Sequence, residues 1–253
     1  MFPYRDENET QRPAIVTGLM IALNVLIWIF VQGAGATIPL ARSVCELGLI
    51  PGELTASLPP GTRFDMGDGL ICATDAGRQL SHLFTSMFMH GSWMHLLGNM
   101  WFLWLFGNNI EDSMGRFRFI CFYLLSGLAA AMGQILTNPN SVIPMVGASG
   151  AISGVMGGYL LLYPNVRVYA LVWILFFVTS VAVPAWVMLG YWFLIQFVSG
   201  LAAFGGDVGG VAFWAHVGGF VAGLLLIKLF VRSDYVMAHQ AHHWRPRRLL
   251  RNA

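Results

Sequence analysis

The chain has 253 residues, of which 57% are hydrophobic and 10% charged, with a formal net charge of +2 and a mean hydropathy of +0.65. That balance excludes an ordinary soluble domain and gives no footing for a nucleic-acid partner. It places the protein in a lipid bilayer, where spans of about 20 apolar residues would allow about six to eight crossings.

The first segment, residues 1–12, is polar and mixed in charge. It lacks the basic stretch and apolar core of a cleavable signal and the Arg-rich character of a transit peptide, so the first span is expected to remain, in a bacterial cell membrane rather than an organelle. Apolar windows then run over Pro13 to Val31, Trp93 to Phe106, Phe117 to Leu136, Ser149 to Tyr163, Pro184 to Leu201 and Val211 to Val231. These predict an all-α, six-span membrane domain over residues 13–231. A further apolar stretch, Val168 to Val183, ends at Pro184 and reads as interfacial or re-entrant. Residues 232–253 form a basic tail with Arg245, Arg247, Arg248 and Arg251, suited to anionic lipid, and its His239, His242 and His243 are read as incidental.

Lys and Arg accumulate on the cytoplasmic side of a membrane. Six spans with both termini cytoplasmic put Arg5, Arg12, Arg116, Arg118, Arg167, Lys228, Arg232 and the four tail arginines at that face, leaving Arg42, Arg63 and Arg78 outside. A seventh span would throw the tail arginines outward. The stretch from Gly33 to Ser81, with Leu58-Pro59-Pro60-Gly61, becomes a long, partly ordered external loop. Cys45 and Cys72 fall in that oxidising compartment, where a disulfide and two free thiols are both open. Cys121, in the third span, reads as a small buried hydrophobe.

Polar groups inside membrane helices are expensive, and four stand out: His95, Asn99, Ser149 and His216. His95 and Asn99 share one helix face near the outer end of span two. Ser149 opens span four, and His216 lies roughly 7 Å into span six at the helical rise. Spans two, four and six run the same way, so these groups meet at one depth. Span four is short, about 22 Å against a ~30 Å hydrocarbon core, so its start is expected to be sunk and reached by irregular backbone beside water.

Gly150, Gly154 and Gly158 recur every fourth residue in span four, and Ala215, Gly219 and Gly223 do so in span six. If these small-residue stripes face each other, Ser149 and His216 come within hydrogen-bonding reach. A hydroxyl needs a base to take its proton, and an imidazole suits that role near neutral pH. The backbone N–H of Ser149 and the side chains of His95 and Asn99 could then donate to an oxyanion.

With these residues the sequence resembles the rhomboid family, whose nucleophile motif Gly-x-Ser-Gly heads the fourth helix and reads here Gly147-Ala148-Ser149-Gly150. The likeness continues through His90 to Asn99, through Glu111 to Gly115, and through Ala215-His216 to Gly219 and Gly223. The resemblance implies a rhomboid-like six-helix bundle and an intramembrane serine protease with a Ser–His dyad and no cofactor. It also implies oxyanion donors at His95 and Asn99, and structural roles for His90 and Glu111. The substrates implied are transmembrane segments of other proteins, cut near small residues, and the fifth helix, with Trp186, Trp192 and Phe193, is the one expected to move sideways. Ser81 and His82 stand where the family often has Trp-Arg. Ser153 stands where an aromatic often stacks on the catalytic histidine, so His216 must be held some other way.

Rival readings are weaker. No HExxH motif offers a metal. Asp207 has no second aspartate in a span to share a proton with. A transporter would show paired inverted repeats. The alternative within the resemblance is a non-catalytic rhomboid-like protein that binds membrane clients, although such a protein would be expected to have lost Ser149 or His216.

Overall fold

The computed structural model describes residues 2–67, 69–174, 177–203 and 211–237. In chain order these form strand β1 (Phe2–Asp6), helices α1 (Ile15–Phe30), α2 (Thr37–Leu47) and α3 (Pro51–Leu54), and strands β2 (Arg63–Asp65) and β3 (Ile71–Ala73). There follow helices α4 (His82–Thr85), α5 (Trp93–Met114), α6 (Arg116–Thr137) and α7 (Ser149–Leu162), and strands β4 (Arg167–Ile174) and β5 (Phe177–Pro184). Helices α8 (Ala185–Ala202) and α9 (Phe213–Phe230) complete the described chain. The fold is mostly helical. Helices α6, α8 and α9 are long and apolar enough to cross a membrane, and α1 and α7 are shorter apolar helices. The chain is a multi-pass membrane protein.

Helix α7 is the hub. Every residue from Gly150 to Tyr159 is buried, because α5, α6 and α9 all pack on it. Such close approach is possible only where side chains are absent. A Cβ on Gly219 would collide with the Gly150 carbonyl oxygen, and one on Gly223 with the Gly154 carbonyl oxygen. The two small-residue stripes therefore meet face to face, and dispersion between backbones replaces the hydrophobic drive that lipid cannot supply.

The all-α expectation needs correction, since strands occur in two places. The run from 167 to 184 is an antiparallel hairpin pairing Arg167 with Pro184 and Ile174 with Phe177. Its Val, Tyr, Trp, Ile, Phe and Thr residues favour extended backbone, and a continuous apolar run carries no period that separates strand from helix. Strand β1 adds to β4 with a register shift between Pro3 and Arg5, giving the order β1-β4-β5. Proline has no N–H to donate and suits this edge position. The second place is the hairpin β2-β3, inside a connection that also contains α2 and α3, so residues 33–81 hold more regular structure than their Pro and Gly suggested.

Helix α1 has no side-chain cap of its own. Glu111, near the end of α5, supplies one: its carboxylate accepts from Val16 N (3.0 Å), Thr17 N (2.8 Å) and Thr17 Oγ1 (2.8 Å). A negative charge at unsatisfied N-terminal amides is favourable. Beside it Asp112 accepts from Arg12 (3.0 Å) and from Gln11 N (2.9 Å). At the other end of the bundle Cys45 and Cys72 are disulfide-bonded, with Cα atoms 5.7 Å apart. Leu49 and Met145 exchange two backbone hydrogen bonds that tie the α2–α3 region to the segment before α7. Cys121 on α6 is a free thiol and only half-buried, because it sits on a flank of α6 not fully covered by neighbouring helices. Asp207 and the C-terminal group of His239, His242, His243, Arg245, Arg247, Arg248 and Arg251 lie outside the described residues.

Candidate active site

Ser149 is the first residue of α7, so its N–H belongs to the unpaired first turn of a buried helix. The chain reaches it through Gly147, whose φ of +128° favours glycine. Space demands glycine as well: a Cβ there would lie 2.7 Å from His95 Nε2 and 3.5 Å from Ser149 Oγ. The Gly147 N–H is held by the Ser86 carbonyl at 2.9 Å.

His216 sits in the first turn of α9, and the Gly150–Gly219 and Gly154–Gly223 crossings bring α9 onto α7 just below it. The result is a 2.8 Å hydrogen bond between His216 Nε2 and Ser149 Oγ.

His95 and Asn99 come from the first turns of α5, whose start is capped by the Ser92 hydroxyl accepting from His95 N at 3.1 Å. The Gly91 N–H donates to His95 Nδ1 at 3.3 Å. An acceptor at Nδ1 leaves the proton on Nε2, the nitrogen beside Gly147. Asn99 is 8% exposed, and its Nδ2 has no hydrogen-bond partner among the described residues. A buried donor left unpaired costs about 1–3 kcal/mol, so it asks for an acceptor that arrives from elsewhere.

All four side chains line one cavity of about 530 Å³. Its polar groups include an oxygen bonded to an imidazole and, one helix away, the His95 Nε2–H and the Asn99 amide, whose Nδ2 has no partner among the described residues. Such an arrangement can deprotonate a hydroxyl and stabilise negative charge beside it.

His90 does not line this cavity. Its main chain is clamped by Gln32, which donates to the His90 carbonyl (2.7 Å) and accepts from the His90 N–H (2.8 Å). Its ring meets the His95 ring edge-on at 5.1 Å, so it braces a site residue from behind. Glu111 lies at the opposite end of α5, capping α1. Gly150, Gly219 and Gly223 are at the helix crossings, and Cys45 and Cys72 in the α1–α5 connection.

Three neighbours were not singled out for the site from the sequence. Gln32 is one. The others are Gln196, whose Oε1 lies 2.7 Å from His216 Nδ1, and Trp192, whose ring lies 5.8 Å from the His216 ring. A signal for Gln196 existed, because it is the lone amide in an otherwise apolar helix and falls under the same cost argument that picked out Ser149 and His216. Ser153 makes no hydrogen bond to the base among the described residues; its hydroxyl donates to the Ser149 carbonyl at 2.6 Å.

A family model described as the Rhomboid domain matches residues 77–233. Among similar proteins, Rhomboid-like protease 5 of Toxoplasma gondii is 32% identical over 160 residues, covering 61% of this chain and 16% of its own length. Rhomboid protein 1, mitochondrial, of Saccharomyces cerevisiae is 33% identical over 144 residues, 55% of this chain and 39% of that protein. Rhomboid protease GluP of Bacillus subtilis is 30% identical over 170 residues, 64% of this chain and 32% of that protein. The chain therefore spans well under half the length of these relatives.

Proposed function

Because the chain belongs to the rhomboid family, we propose that it is a serine endopeptidase that cuts transmembrane segments of other membrane proteins, with Ser149 as nucleophile and His216 as base. The observation that carries this reading is the 2.8 Å Ser149–His216 hydrogen bond in a cavity that also holds the unpartnered amide of Asn99. Two of the relatives above are named proteases.

In the reaction, His216 Nε2 takes the Ser149 proton as Oγ attacks the scissile carbonyl carbon. The carbonyl oxygen becomes an oxyanion and moves toward the Ser149 N–H, His95 Nε2–H and Asn99 Nδ2, donors already oriented in a region of low dielectric. Protonated His216 then gives its proton to the leaving amine. Water enters the cavity and, with His216 again as base, hydrolyses the acyl-serine and regenerates the hydroxyl.

The same reading gives the bilayer arrangement: α1, α5, α6, α7, α8 and α9 as six spans over residues 13–231, with both ends of the chain cytoplasmic and residues 33–81 external. Contacts between connections support it. Strand β1 pairs with β4, Arg12 with Asp112, and Arg118 with the Phe230 carbonyl; every one of these joins segments assigned to the cytoplasmic face. On the other side, the Leu49–Met145 bridge joins two segments assigned outside.

The test is cleavage of a single-span substrate in liposomes. Ser149→Ala and His216→Ala are each expected to lower turnover by about a thousandfold or more, since a nucleophile and its base act as a unit, while both remain folded in detergent. Wild-type turnover by either variant would sink the reading.

A further inference from the structure

We propose that Gln196 of α8 is a positioning residue that fixes the tautomer and direction of the His216 ring, the task an acidic residue performs in a Ser-His-Asp triad. The inference rests on the proposed Ser149–His216 chemistry and explains how this chain manages without an aromatic at position 153.

The amide oxygen Oε1 of Gln196 has lone pairs only, so its 2.7 Å contact with His216 Nδ1 requires the proton on Nδ1. Nε2 is then the acceptor, and the proton in the 2.8 Å contact with Ser149 Oγ belongs to the hydroxyl. The opposite tautomer would set two lone pairs against each other at Gln196 and leave Nε2–H donating to the Ser149 hydroxyl, a ring state that cannot take the hydroxyl proton. One amide thus selects the ring state that can act as a base. Among the described residues, these are the two hydrogen bonds the ring makes.

Helix α8 also supplies the packing. Trp192 is one turn before Gln196 and on the same face, and its ring lies 5.8 Å from the His216 ring, tilted by 41°. Helix α8 is held against α9 by Phe193 on Phe220, 4.8 Å between centroids, and by Trp214 Nε1 donating to the Gly200 carbonyl at 3.1 Å. Ser153 has spent its hydroxyl on its own helix. A neutral acceptor has a further advantage over a carboxylate here, because it orients the ring without placing an ion in a low-dielectric site.

The experiment measures kcat and KM for a single-span substrate in liposomes with the full chain, using Gln196→Met, Gln196→Glu and Ser149→Ala. Gln196→Met keeps the length and removes the acceptor; kcat is expected to fall about ten- to hundredfold, a partial loss that reaches only the lower end of what general-base catalysis supplies, with KM within twofold and the melting temperature unchanged. Gln196→Glu restores an acceptor at the same place and is expected to recover kcat to within a few fold of wild type. Should Gln196→Met fail to fold, Gln196→Asn, whose amide is too short to reach the ring, takes its place. Unchanged kcat in Gln196→Met, or a loss that Gln196→Glu does not recover, overturns the positioning role. A Ser149→Ala variant as active as wild type would overturn the dyad itself, so the two failures are told apart.

Discussion

Helices α5 and α7 each carry buried polar residues at both ends, and the two ends treat them differently. At the end holding Glu111, Asp112 and Tyr159, the carboxylates are saturated: Glu111 takes three donors, Asp112 takes Arg12 and Gln11, and Asp6 takes Tyr159 (2.6 Å) and Asn109 (3.1 Å). At the end holding Ser149, His95 and Asn99, the groups open into a cavity of about 530 Å³ and one buried amide has no partner. Both ends bear the desolvation cost of polar atoms in a membrane protein. At the first end the carboxylates recover it within the fold, although the Asn8 side chain and Asn109 Oδ1 have no partner among the described residues; the second leaves its polar groups open to an incoming acceptor. The difference is that one end spends its charged groups on holding segments together, while the other turns its polar groups toward a cavity.

The sharpest way to break this comparison is to remove one residue from each end and ask which property suffers. Glu111→Ala strands Val16 N, Thr17 N and Thr17 Oγ1 beneath α1, and losing the partner of several buried donors is expected to cost about 3–5 kcal/mol of stability. Thermal unfolding in detergent would record it, while the kcat of the molecules that remain folded at low temperature stays near wild type. A variant with unchanged melting and lost turnover would move Glu111 to the chemistry. Asn99→Ala is the converse and somewhat smaller effect. Removing an unpaired donor leaves nothing stranded, so melting should hold or rise slightly. Turnover should drop about a hundredfold, the usual loss for one oxyanion donor. Should melting fall with no change in turnover, Asn99 belongs with the structural end.

The same distinction decides what could be seen in advance. The helices of the bundle were legible because a membrane forces apolar windows on the sequence, and their bounds in the structure fall within a few residues of those windows, apart from α5, which runs on to Met114. Ser149, His95, Asn99 and His216 were legible because each is polar in an apolar window. Gln196 is polar in such a window too, and was passed over because it belongs to no motif. The hairpin at 167–184 was recognised as different but not as strands, since an unbroken apolar run has no period. Least legible were contacts that depend on two distant segments at once: Glu111 capping α1, Gln32 on His90, and Asp6 meeting Tyr159 across 153 residues of chain. No local pattern encodes such a pair.

Asp6 offers the finest test of the carboxylate end. Strand β1 carries it into contact with α7 and α5, and burial raises its pKa from 3.8 to about 6, against the opposing effect of the Tyr159 hydrogen bond. A carboxyl whose folded pKa is raised stabilises the folded state fully below the unfolded value and loses that contribution as pH rises through the folded one. Docking of β1 should therefore be firmest near pH 4 and weaken as pH passes about 6. Two pKa units correspond to nearly 3 kcal/mol, but Asp6 is only partly buried, and solvent screening reduces the expected change to about 1–2 kcal/mol. Amide-exchange protection factors for β4, whose Val168 pairs with Asp6, would report it across that range. Asp6→Asn keeps an oxygen for Tyr159 and Asn109 without a titrating proton, so its protection should be independent of pH and, at pH 7.5, exceed that of wild type. If Asp6→Asn kept the wild-type pH dependence, the proton would belong to another group, and the hydrogen bonds at Asp6 would hold β1 equally well on either side of neutrality.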